Sequence, residues 1–466
     1  MKFSIDTSSL IKPSSLLIIF CFCFSFFLMD LFRKWHFNQN NFNWDVANYY
    51  SYLPAKFCNN GSFEFGNGTE SFLMVSPINK RISRGTYGMA LMYSPFFALG
   101  YKIAYNQKSP LDGFSEPFAT CIHWGSIFYV MLGLIFLRRF LLNFYSEWVT
   151  ALTLAISFFG TMLFYYTYGD GEMTHGYLFF LISSLLAAAH SWYEMPTYTK
   201  SILIGLVIGL IVLIRPTEVL ISLVFIFWKA TNLREIKEQF VMFFKYKFHV
   251  LIIIALVVGL WIPQLLYWKE MAGVYFYSSY EANGERFMWT DPQIFNILIS
   301  YRKGWITYTP LIVIAFIGFF FMKGEIKKFR TILLIILVLH VYILSCWWDW
   351  FFGGCFGARG FAQHIAFLAI PIAACCDFFS KKENFKKSLQ FLQVIFFIII
   401  FSGICLNIGQ SYQYTRNYIH FNSMTEKTYW HVFGKYYLDD FNNGLYWGSL
   451  KEPDYPKLKS GEDRDN

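Results

Sequence analysis

Apolar runs alternate along the whole chain with short loops that are either basic or rich in glycine, acids and aromatic residues. A helix needs about 20 apolar residues to cross the hydrocarbon core of a bilayer, where all backbone polar groups must be satisfied within the segment. The first run, Ser14 to Leu31, follows Lys2 and Lys12 and meets no small-residue cleavage site before polar sequence begins, so it predicts an uncleaved span with a cytoplasmic N-terminus. Further runs centre on 120–137, 148–166, 176–192, 249–268, 304–322, 331–346, 361–378 and 388–409. Ser201 to Trp228 is broken by Arg215-Pro216-Thr217. It is too long for one span and too short for two, and predicts a hairpin interrupted at membrane depth with Arg215 facing an interior. Tyr87 to Tyr105 contains Pro95 and is only moderately apolar, which predicts a membrane-dipping or interfacial helix. The pattern as a whole predicts an all-α, polytopic membrane bundle of about eleven crossings.

Loop charge orients the bundle. Residues 229–248, 323–330 and 380–387 and the pair Arg138-Arg139 concentrate lysine and arginine, as cytoplasmic loops do. Residues 32–119, 167–175, 269–303, 347–360 and the stretch from about 410 then lie on the opposite, extracytoplasmic side. The expected division is a transmembrane bundle over 1–409, with a long first outer loop at 32–119 carrying interfacial helices, and a tail over 410–466. That tail, with Trp430, Tyr436, Tyr437 and Trp447, is expected to pack on the outer face. No soluble domain is expected before or after the bundle. Integral placement in a bacterial inner membrane follows as the expected location.

Composition sharpens this. The chain has 466 residues, 56% apolar, 22% aromatic and 15% charged, which excludes a soluble enzyme, a disordered chain and a secreted disulfide scaffold. The net charge of +9 sits in the short basic loops, so topology explains it and no nucleic-acid partner is expected. The nine cysteines lack metal-ligand spacing. Most lie in apolar runs, and a disulfide between the loop residues Cys58 and Cys355 is left open.

The chemistry-bearing residues fall in the outer loops. Asp45 stands among aromatic residues in Trp44-Asp45-Val46-Ala47-Asn48-Tyr49, where a carboxylate at the membrane surface can serve as a general base or simply be a solvated acid in an aromatic belt. Gly169-Asp170-Gly171-Glu172-Met173-Thr174-His175 places two acids and a histidine at the mouth of a helix, able to orient a substrate, work as a base pair or hold a divalent cation, or present only for solubility. Arg302 and Lys303 stand at the outer end of a span. Trp347-Trp348-Asp349-Trp350-Phe351-Phe352-Gly353-Gly354-Cys355-Phe356-Gly357-Ala358-Arg359 combines glycines for close backbone approach, an arginine fork for phosphate and indole faces for sugar or lipid. Lys80, Arg81 and Arg84 can meet a lipid phosphate or remain solvated.

These motifs, in this order, together with Thr86-Tyr87-Gly88-Met89-Ala90-Leu91-Met92-Tyr93-Ser94-Pro95 and Ile214-Arg215-Pro216-Thr217, resemble the polytopic C-type glycosyltransferases (GT-C superfamily), akin to the protein O-mannosyltransferases and the lipid A aminoarabinose transferases. The resemblance covers most of the chain. It implies inverting transfer of a sugar from a polyprenyl-phosphate donor to a lipid, glycan or protein acceptor on the extracytoplasmic side. Asp45 would be the general base, with Glu172 (or Asp170, which competes for that place) and His175 beside it. Tyr49, Asp170, Trp348, Arg359 and the basic residues Arg81, Arg84 and Arg302 would hold substrate. No metal ligand is assigned and no cofactor is fixed, with a divalent cation left open. Here Asp45 is followed by valine where several relatives carry an Asp-Glu pair. The alternatives are a lipid-linked sugar flippase or transporter, a polysaccharide polymerase or ligase, and a purely structural membrane protein. The absence of internal repeats and the clustering of charged candidates at one face favour an enzyme.

Overall fold

The computed structural model describes residues 12–36, 42–381, 383, 386–437, 446–462 and 464. Lys2 and Lys382, which contribute to the predicted orientation, lie outside the described residues, as do 37–41 of the predicted outer loop and 438–445 of the predicted tail. Among the described residues the chain is helical almost throughout. Its one ribbon is antiparallel, β1 (Met74–Val75) against β2 (Arg81–Ile82), with Met74 opposite Ile82.

Helix α1 (Pro13–His36) is followed by the short α2 (Trp44–Tyr50) and α3 (Tyr52–Cys58), then by α4 (Gly88–Gln107), α5 (Glu116–Leu141) and α6 (Glu147–Phe159). A single turn, α7 (Tyr165–Tyr168), leads to α8 (Thr174–Glu194) and α9 (Tyr198–Ile214). Next come α10 (Ser222–Ile226), α11 (Leu233–Lys245), α12 (Lys247–Ala272), α13 (Ile294–Ile299), α14 (Trp305–Tyr308) and α15 (Ile312–Phe321). The bundle closes with α16 (Arg330–Cys346), α17 (Ile365–Ser380) and α18 (Phe391–Thr415), and α19 (Glu426–Val432) and α20 (Tyr455–Ser460) belong to the tail.

Six helical stretches are long and apolar enough to cross a membrane: Pro13–Leu31, Glu116–Leu141, Lys247–Ala272, Gly324–Cys346, Arg359–Ser380 and Lys387–Thr415. Glu147–Phe159, Tyr198–Ile214, Pro216–Ile226 and Ile312–Phe321 are apolar but shorter, so length and composition account for fewer crossings than the sequence pattern predicts. Local chemistry explains the shortening. Arg215 leaves the helical region (φ −145°, ψ 103°) ahead of Pro216, as the residue before a proline tends to, and a 3₁₀ turn, Pro216–Ile221, follows. Thr309 does the same before Pro310 (φ −140°) and divides the run 304–322 into α14 and α15. The run 148–166 ends early at Gly160, the C-cap of α6.

Helix α17 is central and α12 peripheral: 89% of the apolar window containing α17 is buried against 11% for α12. The exposed Leu251, Ile254, Val258, Ile262 and Leu266 of α12 recur every three or four residues and form an outward apolar stripe of the kind lipid covers.

The two ends of the bundle differ chemically. At one, Arg138 near the end of α5 donates to Ser14 of α1 (2.5 Å) and to Glu147 of α6 (2.8 Å). Lys229 pairs there with Glu325 (3.3 Å) and lies over the rings of Phe144 and Phe329. At the other, the loops before α2, α4, α8 and α17 converge on a cavity. Leu344, which lines that cavity, stands about 21 Å along α16 from Arg330 at 1.5 Å per residue.

The tail is anchored to the cavity end, in part through the expected aromatic residues: Trp430 donates to the Tyr301 hydroxyl (3.2 Å) and Tyr436 packs on the Tyr412 ring. Trp430, Tyr436, Tyr437 and Trp447 are exposed, whereas Tyr429, Val432, Tyr446 and Leu458 are buried. Arg464 donates to the carbonyls of Trp347 (2.6 Å) and Ser345 (3.2 Å). Helix α18 also runs past the expected boundary, to Thr415. All nine cysteines are free, so Cys58 and Cys355 form no disulfide. The Cys355 thiol instead lies 3.3 Å from the carbonyls of Phe351 and Gly357.

Candidate active site

Asp45 is set by the way α2 begins. Trp44 takes a left-handed backbone (φ 49°), an uncommon conformation for a large residue, and places Asp45 in the first turn. The Asn48 side chain accepts from the Arg84 backbone N–H (2.8 Å) and Ser83 donates to the Asn48 carbonyl (2.7 Å), which clamps α2 to the segment leading into α4.

Arg359 comes from the opposite direction, at the end of the Trp347–Ala358 loop. Phe352 and Gly353 both have positive φ (59° and 60°). At Gly357 (φ +57°) an added Cβ would lie 2.6 Å from the sulfur of Met162, so glycine is required there for both conformation and space. Buried Lys303 donates to the Cys355 carbonyl and fixes the middle of the loop, and burial lowers its ammonium to about 8. The outcome is an ion pair across 314 residues of sequence, Arg359 Nη2 to Asp45 Oδ2 at 2.9 Å.

This pair lies on the wall of a cavity of about 1140 Å³, large by the standard of small-molecule pockets. Tyr49, Arg84, Asp170, Glu172 and Trp348 also line it, so seven of the ten sequence-predicted site residues are brought together. The other three are used elsewhere. Arg81 pairs with Glu64 (2.6 Å) beside the β ribbon. Arg302 is buried and donates to the carbonyls of Asn422 (2.6 Å) and Lys451 (3.2 Å), tying the tail down. His175, the second residue of α8, is fully buried, with Nδ1 2.9 Å from Gln363 Oε1. Its position directly after Glu172-Met173-Thr174 is misleading, because the helix starting at Thr174 turns the ring inward.

Four acidic, basic or histidine residues of the lining were not assigned to the site from sequence. His123, in α5, meets Glu172 through Nδ1 at 2.5 Å and the Tyr168 carbonyl through Nε2 at 3.0 Å. A carbonyl only accepts, so Nε2 carries a proton, and the short contact to Glu172 needs a second proton shared between ring and carboxyl. Asp349 is buried, and burial raises its carboxyl from 3.8 to about 7 against the opposing pull of the Gly353 N–H and of Arg359. Arg215, at the break of the hairpin, lines the cavity as well. Glu285 holds Arg84 at 2.6 Å, beneath the Tyr280 ring. Burial and the nearby Asp45 push the Tyr280 phenol up to about 12. An ionisable residue inside an apolar run is the sequence signal that points to Arg215; for His123 that signal does not separate core from cavity, and for Asp349 the acid was visible and its burial was not.

Three guanidinium nitrogens of this cavity are buried with no hydrogen-bond partner: Arg84 Nε, Arg215 Nη1 and Arg359 Nε. A buried N–H without an acceptor is costly, and three from three arginines of one cavity make a donor set suited to a phosphate or similar anion. The indoles of Trp44, Trp268, Trp347 and Trp348 supply apolar wall. The cavity acids do not gather into a metal-ligating group. Among the described residues the one such group is Glu218, His340 and His364, outside the cavity lining.

No protein-family model matches the chain, and no curated protein matches it.

Proposed function

We propose that this chain is a polytopic membrane glycosyltransferase of the C type, moving a sugar from a polyprenyl-phosphate donor to an acceptor hydroxyl with inversion. In this reading the four shorter apolar helices and α8 complete about eleven crossings, and the cavity opens on the side away from the basic turns. The observation that carries it is the Asp45–Arg359 pair at 2.9 Å, in a cavity whose arginines retain buried, unpartnered N–H groups.

The geometry supports a simple displacement. The donor phosphate competes for Arg359, takes its guanidinium and that of Arg215, and so releases the Asp45 carboxylate, which then accepts the acceptor's proton. The acceptor oxygen forms its bond to the anomeric carbon from the face opposite the phosphate. The carbon–oxygen bond to the phosphate breaks, and its electron pair leaves on the lipid phosphate, neutralised by the arginines. One base and a stabilised leaving group are sufficient, with no covalent intermediate. The shared proton of His123 and Glu172 holds the second-loop acid in place on the opposite wall. The apolar wall accommodates the first isoprene units and the tryptophan faces the sugar.

Purified protein in detergent, incubated with radiolabelled polyprenyl-phosphate sugars and membrane extract, is expected to move label from the lipid to an acceptor. Asp45→Asn should lower this at least 100-fold, within the range general-base catalysis contributes, while leaving donor binding in place. Arg359→Ala should weaken donor binding as well. Folded wild-type protein that turns over none of the donors, or an Asp45→Asn variant of full activity, sinks the reading.

A further inference from the structure

Outside the cavity lining, three titratable side chains from three different elements meet in full burial: Glu218 from the turn after Arg215-Pro216-Thr217, His340 from α16 and His364 from the 3₁₀ turn leading into α17. Glu218 Oε2 lies 3.2 Å from His340 Nε2 and 3.0 Å from His364 Nε2, and the three donor atoms all fall within 4.8 Å of one another.

A backbone hydrogen bond shows which way the lone pair of His340 points. His340 Nδ1 is 2.9 Å from the carbonyl of Ile336, which only accepts, so Nδ1 carries the proton. In the neutral ring Nε2 is then a bare lone pair. That atom is buried without a hydrogen-bond partner, facing a carboxylate oxygen that is also a lone-pair donor. Two such atoms repel at this distance unless a proton or a metal ion lies between them.

The rest of the shell holds the carboxylate in place. Gln363 donates to Glu218 Oε1 (2.6 Å) and to the Gly360 carbonyl (2.9 Å), and its own oxygen meets His175 Nδ1 (2.9 Å). A backbone-bonded imidazole and a carboxylate steadied by an outer amide are the supports that orient metal ligands.

We propose that Glu218, His340 and His364 bind one divalent transition-metal ion, zinc by donor type, which staples the hairpin break to α16 and α17. Two imidazoles and a carboxylate suit zinc, and at metal–donor distances of about 2.0–2.1 Å neighbouring donors of a tetrahedral site lie about 3.3 Å apart, close to the two separations between Glu218 and the histidines. The ion would sit directly behind the residues that present the two cavity arginines: Glu218 is three residues from Arg215, and His364 five from Arg359. The site is independent of the transferase reading, since neither its donors nor its test involves a sugar donor.

The test is metal analysis of the full chain purified through a tag that binds no metal, with all first-row transition metals measured by mass spectrometry. About one zinc ion per chain is expected. The paired variant His340→Gln/His364→Gln should fall below about 0.1 while eluting as a single species. In wild-type protein stripped with a chelator, added zinc should raise the unfolding temperature by several degrees, since an ion that binds only the folded state stabilises it. Wild-type protein that carries less than about 0.1 transition-metal ion per chain, and whose unfolding temperature added zinc leaves unmoved, overturns the proposal and leaves a shared proton as what joins the three side chains. This reading of the wild-type chain decides the matter even where the variant fails to fold.

Discussion

Asp349 is the residue whose environment most changes its chemistry. Its carboxyl titrates at about 7 in the fold, against 3.8 ordinarily, because it is buried. A raised carboxyl favours the protonated fold, so its contribution to stability is complete below about pH 4 and is lost as pH rises through 7. Thermal unfolding in detergent should therefore occur several degrees lower at pH 8 than at pH 5.5, and Asp349→Asn should flatten that dependence; an unchanged slope in the variant would remove Asp349 as its source. The residue also shows where sequence reading ends. Its place in the Trp-Trp-Asp-Trp string was evident, but whether the acid met water or the protein interior depended on the left-handed turn at Phe352 and Gly353. Arg359 was legible as a candidate through the glycines around it, while for Asp45 the loop fitted a solvated acid of an aromatic belt as well as a general base. His123 was not legible, because one histidine in an apolar run has the same pattern whether it packs in a core or faces a cavity. His175 and Arg302 had suitable chemistry and wrong orientation, which local sequence does not encode.

Helix positions were read well and helix interruptions less so. Pro95, Pro263 and Pro371 all lie inside continuous helices, whereas Pro216 and Pro310 follow breaks. The difference rests on whether the preceding residue can turn extended against its neighbours, which is a tertiary property. Contacts between elements are similarly tight where glycine permits. A Cβ on Gly318 of α15 would lie 2.0 Å from the carbonyl oxygen of Pro371 in α17. That oxygen is backbone and cannot swing aside, so Gly318→Ala should force the helices apart at a cost of about 1–3 kcal/mol. Gly259 of α12 has nothing within 4 Å of its Cβ position, and Gly259→Ala should instead stabilise by about 0.5–1 kcal/mol, because alanine loses less backbone freedom in a helix. Unfolding temperatures of the two variants, measured side by side in detergent, should move in opposite directions. A Gly318→Ala protein as stable as wild type would mean that the α15–α17 contact is looser than its geometry.

For the whole molecule, the question is whether its two chemically distinct ends lie on opposite sides of a bilayer. The ion pairs around Arg138 and Lys229 gather the starts of α1, α6 and α16 with the end of α5. The cavity is built from the end of α16 and from loops before α2, α4 and α8. Long apolar helices join the two ends, and α12 presents an outward apolar stripe along its length. The charge bias of the loops carries the proposed orientation, with the basic end inside. The prediction concerns cysteines introduced one at a time at exposed positions in a background with Cys23, Cys58 and Cys405 replaced by serine: Lys56→Cys and Lys427→Cys on the cavity side, Lys237→Cys and Lys387→Cys on the basic side. A membrane-impermeant maleimide added to intact cells should label the first two and reach the second two only after the membrane is opened. Labelling of Lys427→Cys also tests the tail, whose anchoring through Arg302 and Arg464 puts it on the same side as the cavity. If all four sites react in intact cells, the bundle does not separate two compartments. If Lys237→Cys reacts and Lys56→Cys does not, the cavity faces the cytoplasm and the site would have to draw its lipid-linked substrate from the inner leaflet.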